Sequence, residues 1–210
     1  MLIPRILTIF AMKLRLCWPM VDSGVIALQP TNIFRMKPSH ILTSVYASPC
    51  GGMLLGEFEG CLCMADWLDS RRHDANLRSI STRLSATPLS ASSAVLTQAA
   101  AWLDAYFIGI DDAEMPPVPS LMPVGSPFRL AVWSLLLTVP YGHTCSYASL
   151  ALKLGRPSAS RAVASAVGDN PLSIYIPCHR VIGADGSLTG YAGGIRAKRY
   201  LLDLESAAGR

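Results

Sequence analysis

The chain has 210 residues, 51% of them apolar and 15% charged, with a formal net charge of +4. It is long enough to bury a core and too apolar for a disordered chain or a fibrous repeat. No stretch approaches the roughly 18 uninterrupted apolar residues of a membrane-spanning helix, so a soluble globular protein without a membrane partner is expected. The charge is unevenly placed. Residues 1–127 carry nine Lys and Arg against ten Asp and Glu, whereas residues 128–210 carry nine against four. A basic second half suits a polyanion-binding surface, and many solvated faces look the same.

The six cysteines (Cys17, Cys50, Cys61, Cys63, Cys145 and Cys178) are too few and too scattered for a disulfide scaffold. None shows CxxC spacing, so no metal site is expected and the thiols are read as reduced. Cys61 and Cys63 would share one face of a strand as small buried groups.

Residues 1–35 are apolar and basic, with Arg5, Lys13, Arg15 and Arg35 against one acid, Asp22. Residues 1–40 are therefore set apart as an N-terminal extension. It is either a targeting segment or a start placed too far upstream, since Met12, Met20 and Met36 are all available. Residues 41–114 read as an α/β domain. Ile41–Ala47 alternates, Ser48–Gly52 turns, Met53–Phe58 alternates again, and Glu59-Gly60 turns into Cys61–Trp67, which predicts a three-stranded antiparallel meander. Arg71–Arg83 is polar and ends as helix or loop. Ala94–Phe107 places Val95, Leu96, Ala99, Trp102, Leu103 and Tyr106 at helical spacing. Five prolines in Met115–Pro127 exclude helix and central strand, so residues 115–127 are a linker.

Residues 128–205 form a mainly helical second domain, with 206–210 a tail. Phe128–Thr138 is an apolar helix stopped by Pro140-Tyr141-Gly142. Ser146–Leu154 is a second helix broken by Gly155-Arg156-Pro157, and Ser158 or Ser160 can cap a third running to about Val167. Two short helices about a glycine-containing break fit a helix-turn-helix, with a plain helical hairpin as the alternative. The later helix is built from small residues, including Ala159, Ser160, Ala162, Ala164, Ser165 and Ala166, around a single long cation, Arg161. Small residues let a helix approach a nucleic-acid groove closely.

The segment from Asn170 carries the chemistry. Leu172–Ile176 reads as a short buried strand ending at Pro177, which holds Ile176 extended. Cys178 sits where regular structure stops, followed at once by His179. A thiolate is the reactive form of cysteine, and a nearby imidazole lowers its pKa. Adjacent residues do not face each other on a strand or a helix, so His179 could serve Cys178 only through a sharp bend or a bridging water. The imidazole also needs an acceptor on its other nitrogen, for which Asp203 and Glu205 are the nearby acids.

Ser146-Tyr147, Arg161-Ala162-Val163, Asn170-Pro171, Pro177-Cys178-His179-Arg180-Val181, Gly190-Tyr191 with Gly193-Gly194, and Lys198 with Leu201-Leu202 and Glu205 together resemble the methylated-DNA–protein-cysteine methyltransferases. The resemblance is strong from about Gly125 to Glu205, weaker from Ile41 to Phe107, and absent from residues 1–40. It implies an α+β fold with an RNase H-like first domain and a helix-turn-helix in the second. It also implies direct, single-turnover DNA repair: minor-groove binding, flipping of an O6-alkylguanine (O4-methylthymine being left open), and irreversible transfer of the alkyl group to Cys178. No cofactor or metal is implied, because a thiolate is itself the soft nucleophile that attack on a methyl carbon requires.

By the same resemblance His179 takes the thiol proton through water, Glu205 orients His179, Tyr147 donates to the departing guanine, and Asn170 is a hinge. Arg161 fills the gap left by the flipped base, with Tyr147, Ser160, Ala162 and Arg129 as further DNA contacts. Pro177, Ser173, Val181, Tyr191, Ala192 and Gly193 line the substrate pocket. Lys153, Arg156 and Lys198 are generic phosphate-contact candidates. The implied partner is double-stranded DNA containing O6-alkylguanine, bound by a monomer whose clustering on DNA is left open. The implied location is cytoplasmic, with the nucleoid in a bacterium, or nuclear in a eukaryote. The competing reading is an alkyltransferase-like protein that binds lesions without transfer. Its relatives replace the acceptor cysteine, so Cys178 argues against it. A cysteine hydrolase built on Cys and His would require an oxyanion hole and would turn over, and its cysteine would not normally be followed at once by its base; a pure helix-turn-helix regulator would need no buried thiol.

Overall fold

A computed structural model describes residues 39–109 and 115–208 of the chain. Nearly all of the expected N-terminal extension therefore lies outside the described residues. Ser39 and His40 do not belong to it, because they open the first strand, β1 (Ser39–Ser48). β1 turns through Pro49-Cys50 into β2 (Gly51–Phe58), and Glu59-Gly60 leads to β3 (Cys61–Trp67). Both pairings are antiparallel, with Val45 opposite Leu54 and Leu55 opposite Ala65.

The sheet has four strands rather than three. Helix α1 (His73–Leu84) carries the chain from the β3 edge to the opposite edge, where β4 (Ala86–Ser90) pairs parallel with β1 in the order β3-β2-β1-β4. Nothing in the sequence marks β4, because Ala-Thr-Pro-Leu-Ser has no apolar alternation and a single β-branched residue, Thr87. A proline is tolerated there because the strand lies at the edge. Leu77, Ile80 and Leu84 on α1 pack against Ile41, Phe58, Cys63, Met64 and Ala86 on one face of the sheet.

The other face packs on α2 (Ala94–Ile108), whose start is capped by Ser93 Oγ accepting from the Leu96 amide, and on the second half of the chain. Here Met53, Leu55, Ala65 and Trp67 join Leu103, Tyr106, Trp133, Leu136, Leu172 and Ile176 in one continuous core. β3 is buried along its whole length. Its outer edge is closed by two pieces of later chain: Leu62 bonds Ser120 and Met122 through its backbone, and Ala65 bonds Pro171 and Ser173, at 2.8 Å in each case. The proline-rich segment is thus neither helix nor central strand, and it is more than a crossing, since Leu121 is fully buried against β3.

The second half begins with α3 (Pro127–Leu136), in which Pro127 takes the first helical turn and Ser126 caps it. β5 (Cys145–Ser146) precedes α4 (Tyr147–Lys153), and Ser146 Oγ caps α4 through the Ser149 amide. A 3₁₀ turn, Pro157–Ala159, leads into α5 (Ser160–Gly168). Neither Ser158 nor Ser160 caps α5; the 3₁₀ turn feeds the helix directly and Ala159 takes the cap position. α4 and α5 pack on each other and on α3, which gives the expected helix-turn-helix arrangement.

Leu172–Ile176 is buried as expected but is not a strand. Ser173 and Ile176 bridge to each other across a tight turn, in which Ile174 takes a positive φ of 73°. A β-branched residue there is strained. The turn is held from outside by the Ser173 amide donating to Ala65 O, and from inside by the Ile176 amide donating to Leu172 O. A second 3₁₀ turn, Cys178–Arg180, leads into β6 (Val181–Ile182), parallel to β5, and α6 (Gly194–Ala208) closes the described chain.

Cys50, Cys63, Cys145 and Cys178 are free thiols, in line with the reduced state expected of them. Cys61 departs from that expectation, being disulfide-bonded.

Candidate functional site

Cys178 lies at the start of the second 3₁₀ turn, 4% exposed, with its amide donating to Ile176 O at 2.7 Å. Asn170, two residues beyond α5, reaches into the same place. Its Nδ2 donates to Ile176 O at 2.8 Å and to Cys178 Sγ at 3.1 Å, while its Oδ1 accepts from the Leu172 amide. One carboxamide therefore joins the end of α5, the strained turn and the thiol. Burial pushes the Cys178 thiol up to about 11, against the lowering influence of the Asn170 amide and the Lys198 ammonium.

The 3₁₀ turn places His179, which is fully buried, directly after the thiol. Its Nε2 donates to Glu205 Oε1 at 2.8 Å, and its Nδ1 is buried with no hydrogen-bond partner among the described residues. Burial holds the imidazole below its ordinary pKa in spite of the Glu205 carboxylate. The ring is thus neutral at pH 7, with its Nδ1 lone pair free to accept.

Of the two candidate acids, Glu205 faces inward from α6 and Asp203 faces solvent. Glu205 also accepts from Tyr106 Oη (2.8 Å), from Arg180 Nε and Nη2 (2.8 and 2.9 Å) and from the Gly142 amide (3.1 Å). Burial raises its pKa, but the bonds from His179 and Arg180 outweigh that and hold the carboxyl at about 2. Tyr106 and Arg180 had no assigned part in the sequence reading. Arg180 could have been suspected as the cation beside His179, whereas nothing in a helix of the first half marks Tyr106.

A loop from Gly183 to Gly193 brings the buried Tyr191 close to Cys178, near enough that the thiol's charge helps raise the tyrosine's pKa. Tyr147, at the start of α4, donates its hydroxyl to Thr189 O at 3.2 Å. Lys198 is not a phosphate contact. It is fully buried, and its Nζ donates to Val181 O at 2.5 Å and to Thr189 O at 2.8 Å, which ties the loop at Thr189 to β6. Tyr191 is buried and edge-on to His179, with ring centroids 6.4 Å apart. Pro177, Ser173 and Val181 are buried around Cys178, while Ala192 and Gly193 are half-exposed. A cleft of about 450 Å³ runs beside this loop, between Gly190–Gly194 and α5 on one side and Gly51, Trp67 and Arg72 on the other.

The other expected DNA contacts sit apart from the thiol. Arg161 and Ala162 are exposed on the first turn of α5, and Ser160 is half-buried. Arg129, expected as a phosphate contact, is committed to Asp169, its Nη2 lying 2.5 Å from Oδ2. Arg72 pairs with the other oxygen of the same carboxylate. Asp169 was not singled out from sequence.

Residues 127–207 match the family described as 6-O-methylguanine DNA methyltransferase, DNA binding domain. The methylated-DNA–protein-cysteine methyltransferase of Methanosarcina acetivorans is 46% identical over 111 residues, covering 52% of this chain and 69% of that relative. The chain belongs to the methylated-DNA–protein-cysteine methyltransferase family. The Mycobacterium tuberculosis methyltransferase is 57% identical over 83 residues, which is 40% of this chain and 50% of that protein. The matched stretch thus spans about half the length of the mycobacterial relative. The structural match is wider. The crystal structure of the Mycobacterium tuberculosis O6-methylguanine methyltransferase superposes with a TM-score of 0.64 at 37% identity, covering 80% of this chain and 94% of that one. The same mycobacterial protein is also known in complex with DNA. The O6-methylguanine-DNA methyltransferase of the archaeon Pyrococcus kodakaraensis shares the fold, with a TM-score of 0.57 at 23% identity. Membership confirms the family resemblance and the α+β architecture.

Proposed function

We propose that this methyltransferase-family protein repairs DNA by moving the alkyl group of an O6-alkylguanine onto Cys178 Sγ, once per molecule. The observation that carries the reading is the buried Asn170–Cys178 contact next to a neutral His179. That imidazole has one nitrogen committed to Glu205 and the other without a protein partner.

In this scheme His179 Nδ1 accepts the thiol proton through a bridging water, and Glu205 stabilises the imidazolium that forms. The Sγ–carbon bond forms as the carbon–O6 bond breaks, and the leaving guanine is protonated by the Tyr147 hydroxyl. Asn170 holds the sulfur by its amide, which stabilises developing thiolate charge. Pro177, Ser173, Val181, Tyr191, Ala192 and Gly193 shape the pocket for the base. Glycine at 193 lets the backbone come close. No step calls for a metal or a cofactor.

DNA is bound through α5, whose small exposed residues permit close approach, with Arg161 inserted where the base has left and Ser160, Ala162 and Tyr147 beside it. The partner is double-stranded DNA carrying O6-alkylguanine, met by a monomer wherever the cell keeps its DNA. No helix among the described residues is long and apolar enough to cross a membrane.

The test is mass spectrometry of the intact protein and of its peptides after incubation with a duplex bearing one O6-methylguanine. One added methyl on the Cys178 peptide, saturating at one per molecule and absent from Cys178→Ala, is the expected result. Tight lesion-specific binding with no mass gain would replace this reading with that of a lesion-recognition protein.

A further inference from the structure

Trp67 ends β3, in the half of the chain that holds none of the reacting groups. Its side chain is nevertheless buried against the loop whose Tyr191 lies close to Cys178. The indole Nε1–H donates to Tyr191 Oη at 3.2 Å, and the two rings meet edge to face with centroids 6.1 Å apart. Two residues on, the loop backbone presses on the same ring: a Cβ added to Gly193 would fall 2.7 Å from indole Cε2 and Nε1. Gly193 has no positive φ, so it is close approach to Trp67 that excludes a side chain there.

Trp67 is itself firmly placed. The next amide, Leu68 N–H, bonds Gly52 O at 3.0 Å, and Ala65 is bonded on its outer edge to Pro171 and Ser173. The loop therefore has two anchors of different origin. Lys198 fixes Thr189 from within the second half, and Trp67 fixes Tyr191 and Gly193 from the first.

We propose that Trp67 is a positioning residue for the transfer reaction. By its indole N–H and ring face it sets the place of Tyr191 and of the Gly193 backbone, and hence the shape of the loop beside Cys178 and of the cleft that the loop lines. The proposal rests on Cys178 being the alkyl acceptor. It gives the first half of the molecule a task in the chemistry: Asn170 holds the thiol and Lys198 holds the loop at Thr189, but its last residues, Tyr191 to Gly193, are held from β3.

Trp67→Phe keeps an aromatic ring and removes the N–H; Tyr191→Phe removes the acceptor. Each is expected to slow transfer from free O6-benzylguanine by about threefold to tenfold, the scale of one hydrogen bond of roughly 1 kcal/mol. The double variant should be no slower than the slower single one, because both remove the same bond. Hydrogen exchange of the peptide spanning residues 190–194 should quicken in both variants, and Trp67→Phe should leave affinity for unmodified duplex unchanged. Unchanged exchange in Trp67→Phe, or a double variant slowed by the product of the two single effects, would overturn the proposal. Failure of the wild-type protein to alkylate Cys178 would instead remove the functional reading. The exchange measurement, which needs no reaction, would then still decide whether Trp67 anchors the loop.

Discussion

Glu205 accepts five hydrogen bonds from four residues, and its position decides the behaviour of His179 and Arg180 as well as its own. A carboxyl held at about 2 in the fold and at an ordinary 4.5 when unfolded contributes stability above the ordinary value. That contribution is lost as pH falls towards about 2, because the unfolded chain takes the proton first. The loss amounts to about 3 kcal/mol for a group as buried as this one. His179 acts in the same direction. Its folded pKa lies below the ordinary 6.5, so the unfolded imidazole protonates first as pH falls through that value. Chemical unfolding measured from pH 7 to pH 3 should therefore show a steady loss of stability, with a much shallower slope in Glu205→Gln. That variant should also start about 3 kcal/mol less stable, since Arg180 loses a buried partner. Transfer should slow in it as well, because the imidazolium is no longer stabilised. A Glu205→Gln protein with the wild-type acid profile would contradict this account.

Among the elements, α5 joins two tasks. Val163, Ala166 and Val167 face inward, and Trp133 Nε1 donates to Ala166 O at 2.7 Å, which fixes the helix against α3. Arg161 and Ala162 are left exposed on the first turn. The far end of the helix runs directly into Asp169 and Asn170, so one rigid element sets the distance between the exposed cation and the thiol. Arg161→Ala removes a side chain with no packing duty, so it should unfold like the wild type. It should slow transfer from duplex O6-methylguanine by about tenfold or more, the scale of a few kcal/mol for unstacking a base, while leaving free O6-benzylguanine nearly unaffected. Equal slowing on both substrates would remove the finger role.

Across the whole molecule, β3 is the seam between the two halves, and Asp169 is a second point of attachment. Arg72 from the first half and Arg129 from α3 both bind that carboxylate at the end of α5. Both guanidiniums are partly exposed, so screening limits their value. Asp169→Asn should cost about 1 kcal/mol, a fall in Tm of about 2–4 °C that shrinks at high salt. A loss that is independent of salt would point to packing rather than charge. DNA affinity should fall as salt rises, since its contacts are mainly to phosphate, and an affinity indifferent to salt would argue against the basic second half as the DNA surface.

Much of this was legible from the chain alone. The Pro-Cys-His-Arg-Val motif, the small-residue helix around Arg161, the α2 periodicity and the alternation of the first two strands with their turns are local patterns, set by neighbours within one turn or one hairpin, and such patterns survive in one dimension. What needed three dimensions was every assignment that depends on a distant partner. β4 forms because α1 delivers a weak segment to an open edge beside β1. Leu172–Ile176 turns instead of extending, because β3 bonds it on one side and its own carbonyls on the other. Lys198 is an internal tether rather than a phosphate contact because α6 points it at two backbone carbonyls. Glu205 is chosen over Asp203 because a helix two residues further on presents a different face. Tyr106, Asp169 and Trp67 carry no motif at all. Their parts come from hydrogen bonds spanning 99, 40 and 124 residues of sequence, contacts that only packing creates.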